Sequence, residues 1–251
     1  MGKKGMIIVL IVLVGVCNSI SAQKITIGAK GGLNISNFVN ENSNNELNSG
    51  YTSRRDGYFG LYGEYHFTSL FSVSVGADYT SLGGVKNKIQ PLPDYLTTNL
   101  PSGYTYYADV YNTIKLNCLT MPLLARLNVP LGKTSPFSVY AAAGPFIGLL
   151  LSAHQYFSGT SMLYSDASGD GTLDSYDEFY FENSQNIKSK YRTVNFGVEG
   201  LVGISLKVSS KVSLFLEGGK DFGLISIQKS SSDGNCRTKA VILNAGCSYS
   251  F

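Results

Sequence analysis

The stretch Phe71-Ser72-Val73-Ser74-Val75-Gly76-Ala77-Asp78-Tyr79-Thr80 decides the fold. Its apolar residues occupy every second position, and polar residues or glycine fill the others, which is the signature of a strand with two unlike faces. The same period recurs on both sides of it. Upstream, Ile25, Ile27, Ala29, Leu33 and Ile35 alternate with polar residues and glycine, as do Phe59, Leu61, Tyr65 and Phe67. Downstream come Leu119 to Leu127, Phe137 to Leu149, Val194 to Ile204, Val212 to Leu216 and Val241 to Phe251. Eight such segments, most of about ten residues, have the length a tilted membrane strand needs.

The connections alternate too. Short turns fall at Thr68-Ser69, across Pro130 to Pro136 and around Ser209-Ser210, whereas long loops are expected near 37–56, 81–112, 153–190 and 226–237. Long loops are unusual inside a compact soluble domain, but short periplasmic turns and long external loops are the rule in outer-membrane barrels. The expected fold is therefore all-β: an eight-stranded antiparallel up-and-down transmembrane β-barrel over residues 23–251.

Alternation alone leaves open which face is inside, because a lipocalin-like barrel has the same period with its apolar face inward. Three features favour lipid outside. Gly28, Gly32, Gly60, Gly76, Gly144, Gly148, Gly197, Gly203, Gly219, Gly223 and Gly246 gather on the polar face, where a narrow interior needs small residues. Tyr65, Phe67, Phe71, Phe137, Tyr249 and Phe251 sit at the short-turn ends of the apolar face, as an interfacial girdle would. Lys30, Glu64, Asp78, Arg126, Glu199, Glu217 and Asp221 share the polar face and are expected to form a charge network in the lumen, with Lys220 out of phase and placed near the outer rim. Composition agrees. Only 15% of the 251 residues are charged against about a quarter in an average soluble domain, while 28 are glycine and 12% aromatic. A net charge of +3 supplies no dense basic face, which argues against nucleic acid as a partner.

The N-terminus reads as a secretory signal peptide over residues 1–22. Lys3 and Lys4 precede the apolar run Met6 to Val16, and small residues end at Ser21-Ala22. Cys17 raises a lipoprotein option, opposed by Val16 where a small residue should stand. No other segment is long and apolar enough to read as a membrane helix, so a membrane-embedded mature chain must be a closed barrel.

At this point the chain resembles the PorT-like outer-membrane β-barrel family of the Bacteroidetes. The residues that carry the likeness are Ser21-Ala22-Gln23, Ile27 to Asn34, Leu119-Thr120-Met121-Pro122-Leu123-Leu124, Ala143-Gly144-Pro145, Asp221-Phe222-Gly223-Leu224 and a terminal aromatic, Phe251. The resemblance spans nearly the whole mature chain. It implies an eight-stranded barrel in the outer membrane, the barrel-assembly machinery as a transient partner, and a link to protein secretion for the named member only.

The sharpest local motif is Asp166-Ala167-Ser168-Gly169-Asp170-Gly171-Thr172-Leu173-Asp174-Ser175-Tyr176-Asp177. Asp166, Ser168, Asp170, Thr172, Asp174 and Asp177 fall at the ligand positions of a calcium loop, with Gly171 at the sharp turn and Asp177 in place of the usual bidentate Glu. The competing reading is an acidic, flexible loop. Enzyme signals are poor: His66 and His154 are the only histidines, and Ser152 and His154 share a strand face without a third orienting residue. Of the mature cysteines, Cys247 has lipid-facing parity, and a bridge between Cys118 and Cys236 requires the last loop to fold across. Three functions follow in order. The first is a non-enzymatic barrel embedded in outer-membrane lipid, whose external loops meet a surface partner or which supports the envelope. The second is a component of a secretion assembly; the third is an outer-membrane lipid hydrolase.

Overall fold

The computed structural model describes residues 25–40, 50–92, 94–132, 134–173, 179–230 and 235–251. The expected signal peptide, together with Asp174 and Asp177, lies outside the described residues.

Among the described residues nine strands follow in chain order: β1 Ile25–Asn40, β2 Thr52–His66, β3 Phe71–Pro91, β4 Tyr107–Pro130, β5 Phe137–Ser161, β6 Phe179–Asn186, β7 Val194–Lys207, β8 Val212–Gly223 and β9 Cys236–Ser250. Eight of them close an antiparallel ring in the order β1-β2-β3-β4-β5-β7-β8-β9, and β9 returns to β1. Closure removes the unpaired edges that an open sheet would expose. One hydrogen-bonded row runs Ile25, Tyr65, Val73, Ala125, Ala143, Gly200, Lys220, Val241 and back to β1 at Ile35, ten residues beyond its start. A stagger of that size over eight strands sets a tilt of about 40° and leaves an interior only wide enough for side chains.

The ninth strand is an addition to the eight expected. β5 has 25 residues, and β7 pairs only with its first half, Phe137 to Leu149. The remaining edge, His154 to Ser161, is taken by β6, which pairs with nothing else among the described strands. The strands also run further than the alternation suggested. β3 continues to Pro91 and β4 begins at Tyr107, so much of the 81–112 segment read as a loop is paired sheet, with Lys86 opposite Asn112 and Pro91 opposite Tyr107.

Within the ring the two faces are sorted as the glycine and charge distribution implied. Ile27, Leu33, Phe59, Leu61, Val75, Leu123, Leu127, Val202, Leu216 and Leu243 point outward and are exposed. Inside lie Thr26, Lys30, Asn34, Glu64, Ser72, Ser74, Asp78, Thr120, Glu199, Glu217 and Asn244, all buried. Leaving that much apolar surface in water would be costly, so the outward face is suited to lipid. Inward glycines make room for rings from other positions: a β-carbon would collide with Tyr62 at Gly28, Phe146 at Gly197, Tyr140 at Gly203 and Phe215 at Gly246. By contrast, the outward Gly63 and Gly200 would meet nothing within 4 Å.

Candidate functional site

The seven lumenal charges divide into two linked groups. In the middle of the barrel, Lys30 on β1 reaches Asp78 on β3 at 3.1 Å and Glu217 on β8 at 3.8 Å, and its ammonium lies 5.3 Å from the centre of the Tyr58 ring. Tyr58 donates its hydroxyl to Asp78 at 2.5 Å, and Asn244 donates to Glu217 at 3.4 Å. Glu199 on β7 and Asp221 on β8 are direct cross-strand neighbours facing the same space. Nearer the short turns, Arg126 on β4 binds Glu64 on β2 at 3.1 Å, stacks 3.5 Å from the centre of the Tyr140 ring and donates to Asn128 at 2.9 Å. Ser72 also donates to Glu64, and Tyr140 donates to Glu217 at 2.9 Å, which joins the two groups.

Apart from Arg126 to Asn128 within β4, these contacts cross between strands, so the network ties the wall together across its own interior. It also fills it. The space between Lys30, Pro122, Arg126 and Tyr140 is ≈ 20 Å³, about one water molecule. The short-turn end opens into a polar vestibule of ≈ 210 Å³ lined by Glu64, His66, Arg126 and several serines.

The opposite end is closed by apolar packing. Leu82, Ile114, Leu116, Cys118, Leu150, Ala153, Ile187, Tyr191, Ile227, Cys236 and Ala240 form one buried cluster, contributed by four strands and two connections and joined by Phe38 and Tyr51. The connection after β8 does fold across the mouth, held by Ile227 N donating to Cys236 O and Arg192 N to Ile227 O. It brings Cys118 and Cys236 into the same cluster, yet both are free thiols, as is the exposed Cys247.

Above the mouth, the long ends of β3, β4 and β5 and the whole of β6 stand as a tower with a core of its own. Leu92, Tyr106, Ala108, Val110, Leu163 and Phe181 are buried there, with Leu96, Leu100, Phe157 and Leu173 against them. Its outer surface carries exposed Tyr104, Tyr111, Tyr156 and Tyr180. Tyr180 donates to Glu182 at 2.8 Å, and that bond and the carboxylate's charge raise its phenol above the ordinary value.

The acidic motif caps this tower. Tyr164 exchanges backbone hydrogen bonds with Tyr107 of β4 and bridges to Thr172, so residues 166–171 are the tip of a small hairpin. Asp166 Oδ1 accepts from the Ser168 hydroxyl at 2.6 Å, the Ser168 N–H at 2.9 Å and the Gly169 N–H at 3.1 Å. Those bonds, the Ser168 hydroxyl first, hold its carboxyl below the ordinary aspartate range. Gly169 adopts φ +80°, a left-handed turn position that suits glycine. Among the described residues no group of three metal-ligating side chains is assembled.

Ser152 and His154 both face outward at the foot of the tower, directly opposite Asn117 and Lys115 of β4. Ser152 Oγ accepts from Asn117 Nδ2 at 2.9 Å, and the His154 ring lies 6.1 Å from that of Tyr156. The serine is thus engaged by an amide rather than by a base.

The tower core and the mouth cluster are what sequence reasoning missed. The signal lies in the sequence, since Ala108, Val110, Ile114 and Leu116 also alternate, but their phase opposes that of Leu119 to Leu127.

A family described as outer membrane protein beta-barrel domain matches residues 21–229. No curated protein matches. Among solved structures, Neisserial surface protein A aligns over 90% of this chain and 97% of its own at 14% identity and a TM-score of 0.44. The attachment invasion locus protein Ail of Yersinia pestis aligns over 91% and 99% at 11% identity and 0.36. OprG of Pseudomonas aeruginosa aligns over 92% and 98% at 14% identity and 0.39.

Proposed function

The chain belongs to the outer membrane protein beta-barrel domain family, and we propose that within the outer membrane it serves as a non-enzymatic surface-interaction barrel. Its short turns face the periplasm and its tower faces outward. The observation that carries this reading is the sealed lumen beneath an independently packed tower: a ≈ 20 Å³ gap and an apolar mouth suit no solute path, while four exposed tyrosines suit a binding surface. Tyrosine presents a large, amphipathic contact area at low conformational cost. The acidic hairpin at the tower tip belongs to the same reading as a calcium-ordered element. Absence of any calorimetric signal at millimolar calcium would remove that part.

Affinity capture from envelope extracts tests the proposal, comparing the native protein with a Tyr111→Ser, Tyr156→Ser, Tyr180→Ser variant. Loss of the captured surface partner, with unchanged heat-modifiable migration, supports it; capture that is indifferent to the tyrosines defeats it. Recovery of periplasmic or secretion-assembly proteins through the short-turn end would favour the secretion-component reading drawn from the PorT-like resemblance. Hydrolysis of outer-membrane lipid that disappears on Ser152→Ala would instead establish an enzyme.

A further inference from the structure

The wall opposite the tower carries charge where a lipid-facing surface should carry none. β8 turns Leu214, Leu216, Gly218, Lys220 and Phe222 outward, and β9 turns Lys239, Val241, Leu243, Ala245, Cys247 and Tyr249 outward. No acidic side chain shares the outward face of β7, β8, β9 or β1: Glu199, Glu217 and Asp221 all point into the lumen. Lys220 and Lys239 are exposed, and among the described residues neither is in an ion pair.

Register fixes their depth. At a strand tilt of about 40°, each residue climbs roughly 2.5 Å along the barrel axis. Lys220 stands eight residues above Val212 at the lower rim, and Lys239 stands ten above Tyr249 in the aromatic girdle. Their backbones therefore lie roughly 20 and 25 Å up an apolar band about 25 Å tall. Lys220 is paired with Val241 and Lys239 with Phe222, so the two lysines are diagonal neighbours on adjacent strands. Around Lys220 the wall is low. Gly200 is its partner on β7, Gly218 lies two residues below, and a side chain at Gly200 would meet nothing within 4 Å. Its aliphatic stem can lie flat over these glycines and raise the ammonium to the headgroup level beside Lys239.

We propose that Lys220 and Lys239 form a docking site for the phosphate of an outer-leaflet lipid, whose acyl chains lie against the β7–β8–β9 wall. Two ammonium groups brought to the same height at the edge of an apolar band repel one another unless a counter-charge meets them. Two adjacent ammonium groups at the upper edge of the band, without a carboxylate on that face, match a phosphate at the same height. The site is on the far wall from the tower tyrosines, so its failure and that of the surface-interaction reading are separable.

The test uses the full mature chain in phosphatidylcholine nanodiscs doped with lipid A, either bis-phosphorylated or dephosphorylated, and counts retained lipid by native mass spectrometry. The native protein should retain the phosphorylated form about 30-fold more tightly than a Lys220→Gln, Lys239→Gln variant, with about fivefold for each lysine. A Lys220→Arg, Lys239→Arg variant should keep the retention, and Lys115→Gln, which removes an outward cation on another wall, should not change it. Equal retention of the dephosphorylated lipid overturns the proposal, as does equal loss on Lys115→Gln. Displacement by inorganic phosphate at millimolar concentration would also overturn it, because the occupant would then be a free anion.

Discussion

Within β4, residues 107–118 turn Ala108, Val110, Ile114, Leu116 and Cys118 inward and Asp109, Tyr111, Thr113, Lys115 and Asn117 outward. Residues 119–130 of the same strand turn Thr120, Pro122, Leu124, Arg126 and Asn128 inward and Leu119, Met121, Leu123, Ala125, Leu127 and Val129 outward. The backbone is continuous and its pairing with β3 keeps one register throughout. What changes is the surroundings. In the upper half water is outside and the apolar residues gather within; in the lower half lipid is outside, and the charged and polar residues gather within beside the small cluster of Leu124, Ala142 and Leu201. The boundary between Cys118 and Leu119, two adjacent apolar residues of opposite facing, marks where one medium gives way to the other.

The sharpest way to break this comparison is to remove the cation in the lower interior. Lys30→Met leaves Asp78 and Glu217 without their ammonium partner in a filled lumen, and should cost about 3–5 kcal/mol. A lowered urea midpoint, followed by heat-modifiable gel migration in lipid vesicles, would show it. The upper interior should respond to cavities instead. Leu163 is 0% exposed in the tower core, and Leu163→Ala should lower the local opening free energy by about 2–5 kcal/mol. Hydrogen exchange at Val110 and Phe181 should speed up while the urea midpoint of the barrel stays in place, because the two cores are separate clusters.

Outward substitutions should reverse the order of the halves. Val202→Arg, placed on the lipid face of β7 near mid-height, should cost about 2–4 kcal/mol. Thr113→Arg, on the outward face of upper β4, should stay within about 0.5 kcal/mol. If both change the urea midpoint equally, the boundary at Cys118 is misplaced. The smallest effect belongs to the tower tip. The folded Asp166 carboxyl titrates below its ordinary value, so the turn it caps is intact above that ordinary value and loosens only as pH falls through the depressed one. Carboxyl NMR titration should show Ser168→Ala returning Asp166 towards the ordinary range.

The membrane half is legible in the sequence alone. Phe71 to Thr80 announces both the period and the faces, and the aromatic residues at the short-turn ends mark one interface. The tower was not legible, because the stretch 81–112 mixes glycine, proline and charged residues with the alternating ones, and its apolar residues occupy the phase that is polar below. β6 was hidden for a related reason: Phe179 to Asn186 is short, three aromatic residues followed by a polar run without alternation, and it takes strand geometry along the edge that β5 offers above Leu149. The seven lumenal charges could be assigned to one face from parity alone. Their partners could not, since Lys30 and Asp78, or Arg126 and Glu64, meet only when the ring closes with its particular stagger.

Sequence by itself determined the period, the ring strands and the small, polar face, because side-chain direction along a strand follows from backbone geometry whatever the surroundings. Tertiary structure alone decided the ten-residue stagger, the pairing of Lys30 with Asp78 and Glu217, the closure of the mouth and the height of Lys220 on the wall. Those depend on which residues from distant strands come level with one another, and that is set by how the whole ring closes.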